Sequence, residues 1–229
     1  MKTTDTITRI KNHLKILKLS RIFHALDEEL SRSSQESAPP TVLLDRLLSL
    51  EVNALTERRI ERRIRDSKLP ERKLLTDCDF DFQKGVDKRQ IMDLATLDFA
   101  RRKQGVIIAG NSGTGKSHLA KALLLIGCQK TYRCRYVTAT AMLRELLASL
   151  ADNTLNQKLR RFLLPEILLI DEVGFDRIEQ HDARNASLFH KVIDGRYCKG
   201  STIITTNVDF KELGDYLGDP VITAATVDR

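Results

Sequence analysis

The chain has 229 residues, of which 41% are hydrophobic and 30% charged, and it carries a formal net charge of +7. That composition suits a soluble globular protein with one mid-sized domain and a smaller extension. No apolar run approaches the ~20 residues that span a bilayer, and MKTTDTITRIKNHLK lacks the apolar core of a signal peptide, so a cytoplasmic protein without membrane contact is expected.

The charge is unevenly shared: residues 1–76 hold 16 Lys/Arg against 11 Asp/Glu, and residues 77–229 hold 22 against 20. An excess in the N-terminal third suits a polyanionic partner bound there. Cys78, Cys128, Cys134 and Cys198 show neither C-x-x-C pairing nor metal-ligand spacing, and they read as reduced thiols.

In residues 5–31, Ile7, Ile10, Leu14, Leu17, Ile22, Phe23, Leu26 and Leu30 recur at three- and four-residue steps. That spacing predicts an amphipathic helix, or two separated near Ser20. SRSSQESAPP (31–40) reads as a polar linker closed by its Pro pair. A further helix starts near Thr41 and continues through Leu55 into ERRIERRIRDSKLPERK. There Arg58, Arg62 and Arg65 share one face, flanked by Arg59 and Arg63, while Ile60 and Ile64 face the core. The row reads either as a solvated face paired with Glu57 and Glu61 or as phosphate contacts to nucleic acid. Few aromatics accompany it, which favours duplex backbone over stacked single strands. Leu69-Pro70 closes this module, and KRQIMDLATLDFA (88–100) predicts one amphipathic helix with Ile91, Leu94, Leu97 and Phe99 inward.

Val106-Ile107-Ile108 is a short β-branched run of the kind that forms a buried strand. It leads into Gly110-Asn111-Ser112-Gly113-Thr114-Gly115-Lys116-Ser117, which fits G-x-x-x-x-G-K-[ST] at every fixed position. Leu119 to Leu124 then form a helix without a breaker. Glycines let successive N–H groups turn inward on phosphate oxygens, and the positive helix end adds to the attraction. Lys116 is expected on the β- and γ-phosphates and the Ser117 hydroxyl on Mg²⁺. His118 adjoins the loop and reads as a helix-surface residue rather than a catalyst.

Cys134–Val137 predicts a second strand, and Thr140–Ser149 and Asn153–Phe162 two short helices, the latter ended by Pro165. Glu166-Ile167-Leu168-Leu169-Ile170-Asp171-Glu172 is an apolar strand ending in two carboxylates, at the edge where an open α/β sheet binds ligands. Asp171 is expected to hold Mg²⁺, and Glu172 to orient and deprotonate the water attacking the γ-phosphate. A helix over 181–195 precedes the strand Ser201–Asn207. Asn207 is expected beside the γ-phosphate, the alternative being an Asn that only begins a turn.

GNSGTGKSHLAKAL, LLIDEVGF, DGRY and STIITTN together resemble the IstB/DnaC-like branch of AAA+ ATPases. KLPERKLLTDCDFDF and DKRQIMDLATLDFARRKQGVIIAG resemble, within that branch, the IstB helper ATPases of insertion-sequence transposition. The resemblance implies an α/β AAA+ P-loop core with a mainly parallel sheet (76–229) and a small, basic, all-helical N-terminal domain (1–75). It implies an ATP- and Mg²⁺-dependent homo-oligomer, ring or filament, that bends duplex DNA, delivers it to the partner transposase and hydrolyses ATP. A trans-acting arginine is implied at Arg229, with Arg196 of DGRY a second candidate. The family pattern continues past Arg229, so an arginine from that tail is expected to be missing here. Asn111 stands where a Pro is common, which should leave the phosphate cradle intact. Alternatives are a helicase loader of the DnaC type, a phosphotransferase acting on a small acceptor, and a scaffold that binds ATP without turnover.

Overall fold

The computed structural model describes residues 2–78, 87–174 and 183–208, and the chain divides into two units, Met1–Glu61 and Arg62–Arg229. The first unit holds three helices, α1 (Lys2–Ile16), α2 (Ser20–Gln35) and α3 (Pro40–Ser67), the last of which runs on into the second unit. Leu14, Ile22, Leu26 and Leu47 are its buried core, with Leu19, Phe23, Leu30 and Leu43 packed around them. The split near Ser20 is as expected, whereas the Ser-rich stretch to Gln35 is helical rather than linker. The helix ends there because Ser37 takes φ +52° and the Ala38 N–H closes onto Ser33 O at 3.0 Å. Pro40 opens α3, a position where its missing N–H costs nothing.

In the second unit, β1 (Val106–Ala109), β2 (Cys134–Thr138), β3 (Ile167–Val173) and β4 (Ser201–Thr206) form one parallel sheet in the order β1-β4-β3-β2. Around it lie α4 (Lys88–Ala95), α5 (Asp98–Arg102), α6 (Lys116–Gln129), α7 (Ala139–Ala151), α8 (Leu155–Leu163) and α9 (Ala183–Arg196). Ile167 to Ile170 are fully buried, as a central strand covered on both faces requires. Met142, Leu146, Phe162, Phe189 and Val192 from α7, α8 and α9 close one core against Leu168, Ile170 and Ile204.

Two expected boundaries move. The predicted single helix over 88–100 breaks between α4 and α5, because Leu97 adopts φ +64° to bring its side chain to 1% exposure. The Thr96 hydroxyl stabilises the break, donating to Asp93 O at 2.6 Å and accepting the Asp98 N–H at 3.2 Å. The division between units falls inside α3, earlier than the expected 75/76. Its last turns belong to the second unit: Ile64 is buried, Arg63 Nε donates to Thr131 O at 3.1 Å, and Cys128 Sγ donates to Arg63 O at 3.7 Å. The segment after α3 lies along α6, through Lys121 Nζ to Glu71 Oε1 at 3.1 Å.

Candidate nucleotide-binding site

The turn between β1 and α6 is anchored where Gly110 N–H donates to Thr206 O at 3.3 Å, next to the last pairing of β1 with β4. Gly113 (φ +81°) and Gly115 (φ +74°) hold the left-handed conformation that turns backbone N–H groups inward. A Cβ at Gly113 would meet nothing within 4 Å, so the need for glycine there is conformational, not spatial. Lys116 Nζ folds back to Asn111 O at 2.7 Å, and Thr114 Oγ1 donates to the same carbonyl at 2.8 Å. Desolvation holds the Lys116 ammonium below its usual range, with Asp171 pulling the other way.

Residues 112–118 line one wall of a cleft of about 240 Å³, and Glu172, Thr205, Thr206 and Asn207 line the other. All of them reach it from the C-terminal ends of β1, β3 and β4, the edge where parallel sheets take ligands. Asp171 is 1% exposed. Its Oδ1 accepts from Ser117 Oγ at 2.8 Å and Thr205 Oγ1 at 2.5 Å. Its Oδ2 accepts from Tyr136 OH at 3.2 Å and lies 3.9 Å from Lys121 Nζ. Burial first, then the Asp171 charge, pushes the Tyr136 phenol above its usual range, so it stays a donor at neutral pH. A carboxylate and a hydroxyl are hard oxygen donors, and Ser117 with Asp171 fits a magnesium ion.

Glu172 is the neighbour of Asp171 in sequence but not in environment. The register of β3 against β4 slips between Ile170 and Val173, and Glu172 sits exposed at φ +62°. Its N–H donates to Thr205 Oγ1 at 2.9 Å. This bulge re-aims the strand end, so that Asp171 meets Ser117 while Glu172 lines the cleft. Gly174 (φ +91°) follows; a Cβ there would collide with Val208 Cγ2 and stand 3.2 Å from Asn207 Oδ1.

The cleft thus brings together Ser112, Gly113, Thr114, Gly115, Lys116, Ser117, Glu172 and Asn207, with Asp171 bonded to Ser117 beside it. His118 lines the cleft as well, and its Nε2 lies 3.0 Å from Leu74 O. Arg196, the second candidate for the trans-acting arginine, lies away from the cleft lining. It is 1% exposed, and its guanidinium donates to Thr202 Oγ1 (2.8 Å), Phe162 O (2.7 Å), Pro165 O (2.8 Å) and Ser201 O (2.5 Å). Burial pushes its pKa down to about 10, so it stays charged at neutral pH. With its donors committed inside its own subunit, Arg196 is a structural tie between α9 and the starts of β3 and β4, not a group free to reach a neighbour. Arg229 lies outside the described residues.

The arginine row divides. Arg58 is engaged with Ala54 O at 3.1 Å and Glu51 Oε1 at 3.3 Å, and Arg63 with Thr131 O. Arg59, Arg62 and Arg65 are exposed. Sequence reasoning missed Thr205, Tyr136 and Lys121, the three residues beyond the loop that hold Asp171. A threonine two residues before Asn207 was the available signal.

The family model described as IstB-like ATP binding protein matches residues 12–229. The chain is 29% identical over 225 residues to a protein described as an ATP-binding protein of insertion sequence IS232 from Bacillus thuringiensis subsp. berliner, covering 98% of this chain and 89% of that one. It is 36% identical over 186 residues to the corresponding IS5376 protein of Geobacillus stearothermophilus, covering 81% and 73%. Among solved structures, DnaI superposes with a TM-score of 0.55 at 22% identity, over 69% of this chain and 84% of that one. At that identity the likeness speaks for the fold, which is the AAA+ P-loop α/β fold.

Proposed function

The chain belongs to the IstB-like ATP binding proteins, and from that premise we propose that it is a magnesium-dependent ATPase that assembles on duplex DNA and presents it to the transposase of an insertion sequence. The observation that supports this most is the convergence of Lys116, Ser117, Glu172 and Asn207 on one cleft with Asp171 bonded behind them. The N–H groups of residues 110–117 and the Lys116 ammonium hold the phosphates. Ser117 and Asp171 would hold a magnesium ion, which would supply positive charge to offset that of the triphosphate. Glu172 takes the proton of the attacking water, Asn207 orients that water against the γ-phosphate, and ADP and phosphate leave. Thr205 keeps the two carboxylate positions in register.

With Arg196 committed to its own subunit, the arginine supplied across a subunit boundary is assigned to Arg229. A γ-phosphate that pairs with a neighbour's guanidinium favours assembly by mass action, and assembly sums many weak phosphate contacts. No helix among the described residues is long and apolar enough to cross a membrane. Duplex binding by the full chain is measured with ATP, with ADP and without nucleotide. Tighter binding with ATP is expected, and equal binding in all three states removes the assembly reading.

A further inference from the structure

The four described strands of the second unit run parallel, so their starts lie together along the edge opposite the cleft. Ile167 pairs with both Cys134 and Ser201, and Val106 with Ile203, which aligns those starts in one row. Backbone bonds tie the row: Ser201 N–H to Glu166 O at 2.8 Å and Glu166 N–H to Arg133 O at 2.7 Å. Ser201 Oγ donates to Phe99 O at 3.0 Å, which brings α5 to the same edge.

Three of these four strands are entered directly through cations: Lys103 before β1, Lys130 and Arg133 before β2, and Lys199 before β4. The bond from Arg63 to Thr131 O brings the last turns of α3, with Arg62 and Arg65, to the same place. The acids there are already engaged or outnumbered. Glu166 pairs with Arg133 at 3.3 Å and Asp98 pairs with Arg101 and Arg102, while Glu61 and Asp66 flank the end of α3, where Arg62, Arg63, Arg65 and Lys68 outnumber them. Lys103, Lys199, Arg62 and Arg65 are exposed and have no carboxylate partner among the described residues. Four strands at ~4.8 Å spacing span roughly 14 Å, along which a duplex presents on the order of eight phosphate charges.

We infer that this edge, the row of cationic strand starts together with the Arg62 and Arg65 turn of α3, is a phosphate-binding surface for duplex DNA. The inference rests on the reading that the chain binds duplex DNA, and it moves part of that binding from the α3 row to the ATPase sheet itself. Because the edge lies opposite the cleft, DNA phosphates and the nucleotide occupy separate sites. The contacts are to backbone, so they position the duplex without reading its sequence.

The test is a salt titration of duplex binding by the full chain in a non-hydrolysable ATP analogue, comparing the intact protein with Lys103→Gln/Lys199→Gln. Neither lysine holds another residue in place among the described contacts, and circular dichroism checks that the variant is folded. The slope of log affinity against log salt should shrink by about 1.8, since each lost contact contributes ~0.9, while affinity for a fluorescent ATP analogue stays unchanged. An unchanged slope overturns the inference, and does so alone if Arg59→Gln still lowers it. An unchanged slope with loss of transposase capture also overturns it, assigning the edge to an acidic protein surface instead. If the intact chain binds no duplex in any nucleotide state, the functional reading falls and this inference falls with it.

Discussion

Thr205 joins the two carboxylate positions of β3: its hydroxyl donates to Asp171 Oδ1 and accepts the N–H of Glu172. One side chain on β4 therefore sets both the buried acid bonded to Ser117 and the exposed acid facing the cleft. Thr205→Val keeps the shape and removes both bonds. Leaving a buried acceptor short of a donor costs roughly 1–3 kcal/mol, so the melting temperature should drop and phosphate release should fall about tenfold or more. Thr205→Ser should restore release. Release that survives Thr205→Val at the intact level would leave Thr205 without its positioning role.

Lys116 and Glu172 should separate binding from turnover. Lys116→Ala removes a charge-assisted contact to the phosphates and should weaken nucleotide binding by about 10- to 100-fold. Glu172→Gln keeps the size and the backbone bond to Thr205, so nucleotide binding should persist while phosphate release drops by about 10²- to 10⁴-fold. Fluorescent-nucleotide titration and a phosphate-release assay on the same preparations read the two effects apart.

The strand, glycine turn and helix around Gly110–Ser117 were legible because the signal is local: a β-branched run, fixed glycines and a helix without breakers. β3 was legible for a similar reason, being a continuous apolar run that ends in Asp-Glu. What escaped depends on tertiary neighbours. Thr205 and Tyr136 meet Asp171 only because the sheet order sets β4 and β2 on either side of β3. The break at Leu97 follows from the core's demand for that side chain, which overrides a good helical pattern. Nor does a sequence show whether a cation such as Arg196 is exposed or wrapped in carbonyls.

Arg196 should behave as a folding residue. Arg196→Lys loses the planar fork that serves Phe162, Pro165 and Ser201, and a loss on the order of 3 kcal/mol is expected in thermal or denaturant unfolding. Nucleotide affinity per folded molecule should stay near the intact value. In mixed assemblies with intact chains the defect should remain with the variant subunit, whereas a defect in a group acting across a boundary would appear in its neighbour.

Two glycines of positive φ should respond differently to alanine. Gly113→Ala meets no neighbour within 4 Å and should cost only the left-handed backbone penalty, about 1–2 kcal/mol. Gly174→Ala adds a collision with Val208 and should destabilise more, displacing Asn207 and lowering phosphate release further than nucleotide affinity. Unfolding curves and phosphate release for the pair check the order.

The helix α6 carries Lys116 as its first residue and ends two residues before Thr131, whose carbonyl holds Arg63. At 1.5 Å per residue it is a rod of about 20 Å. Its ends are tied to different charges, the turn that takes triphosphate at one and the arginines of the opposite edge at the other. A stiff lever of that length would carry any tilt at its seat as a displacement at its far tip, so on the proposed reading it would link fuel and cargo without a flexible hinge.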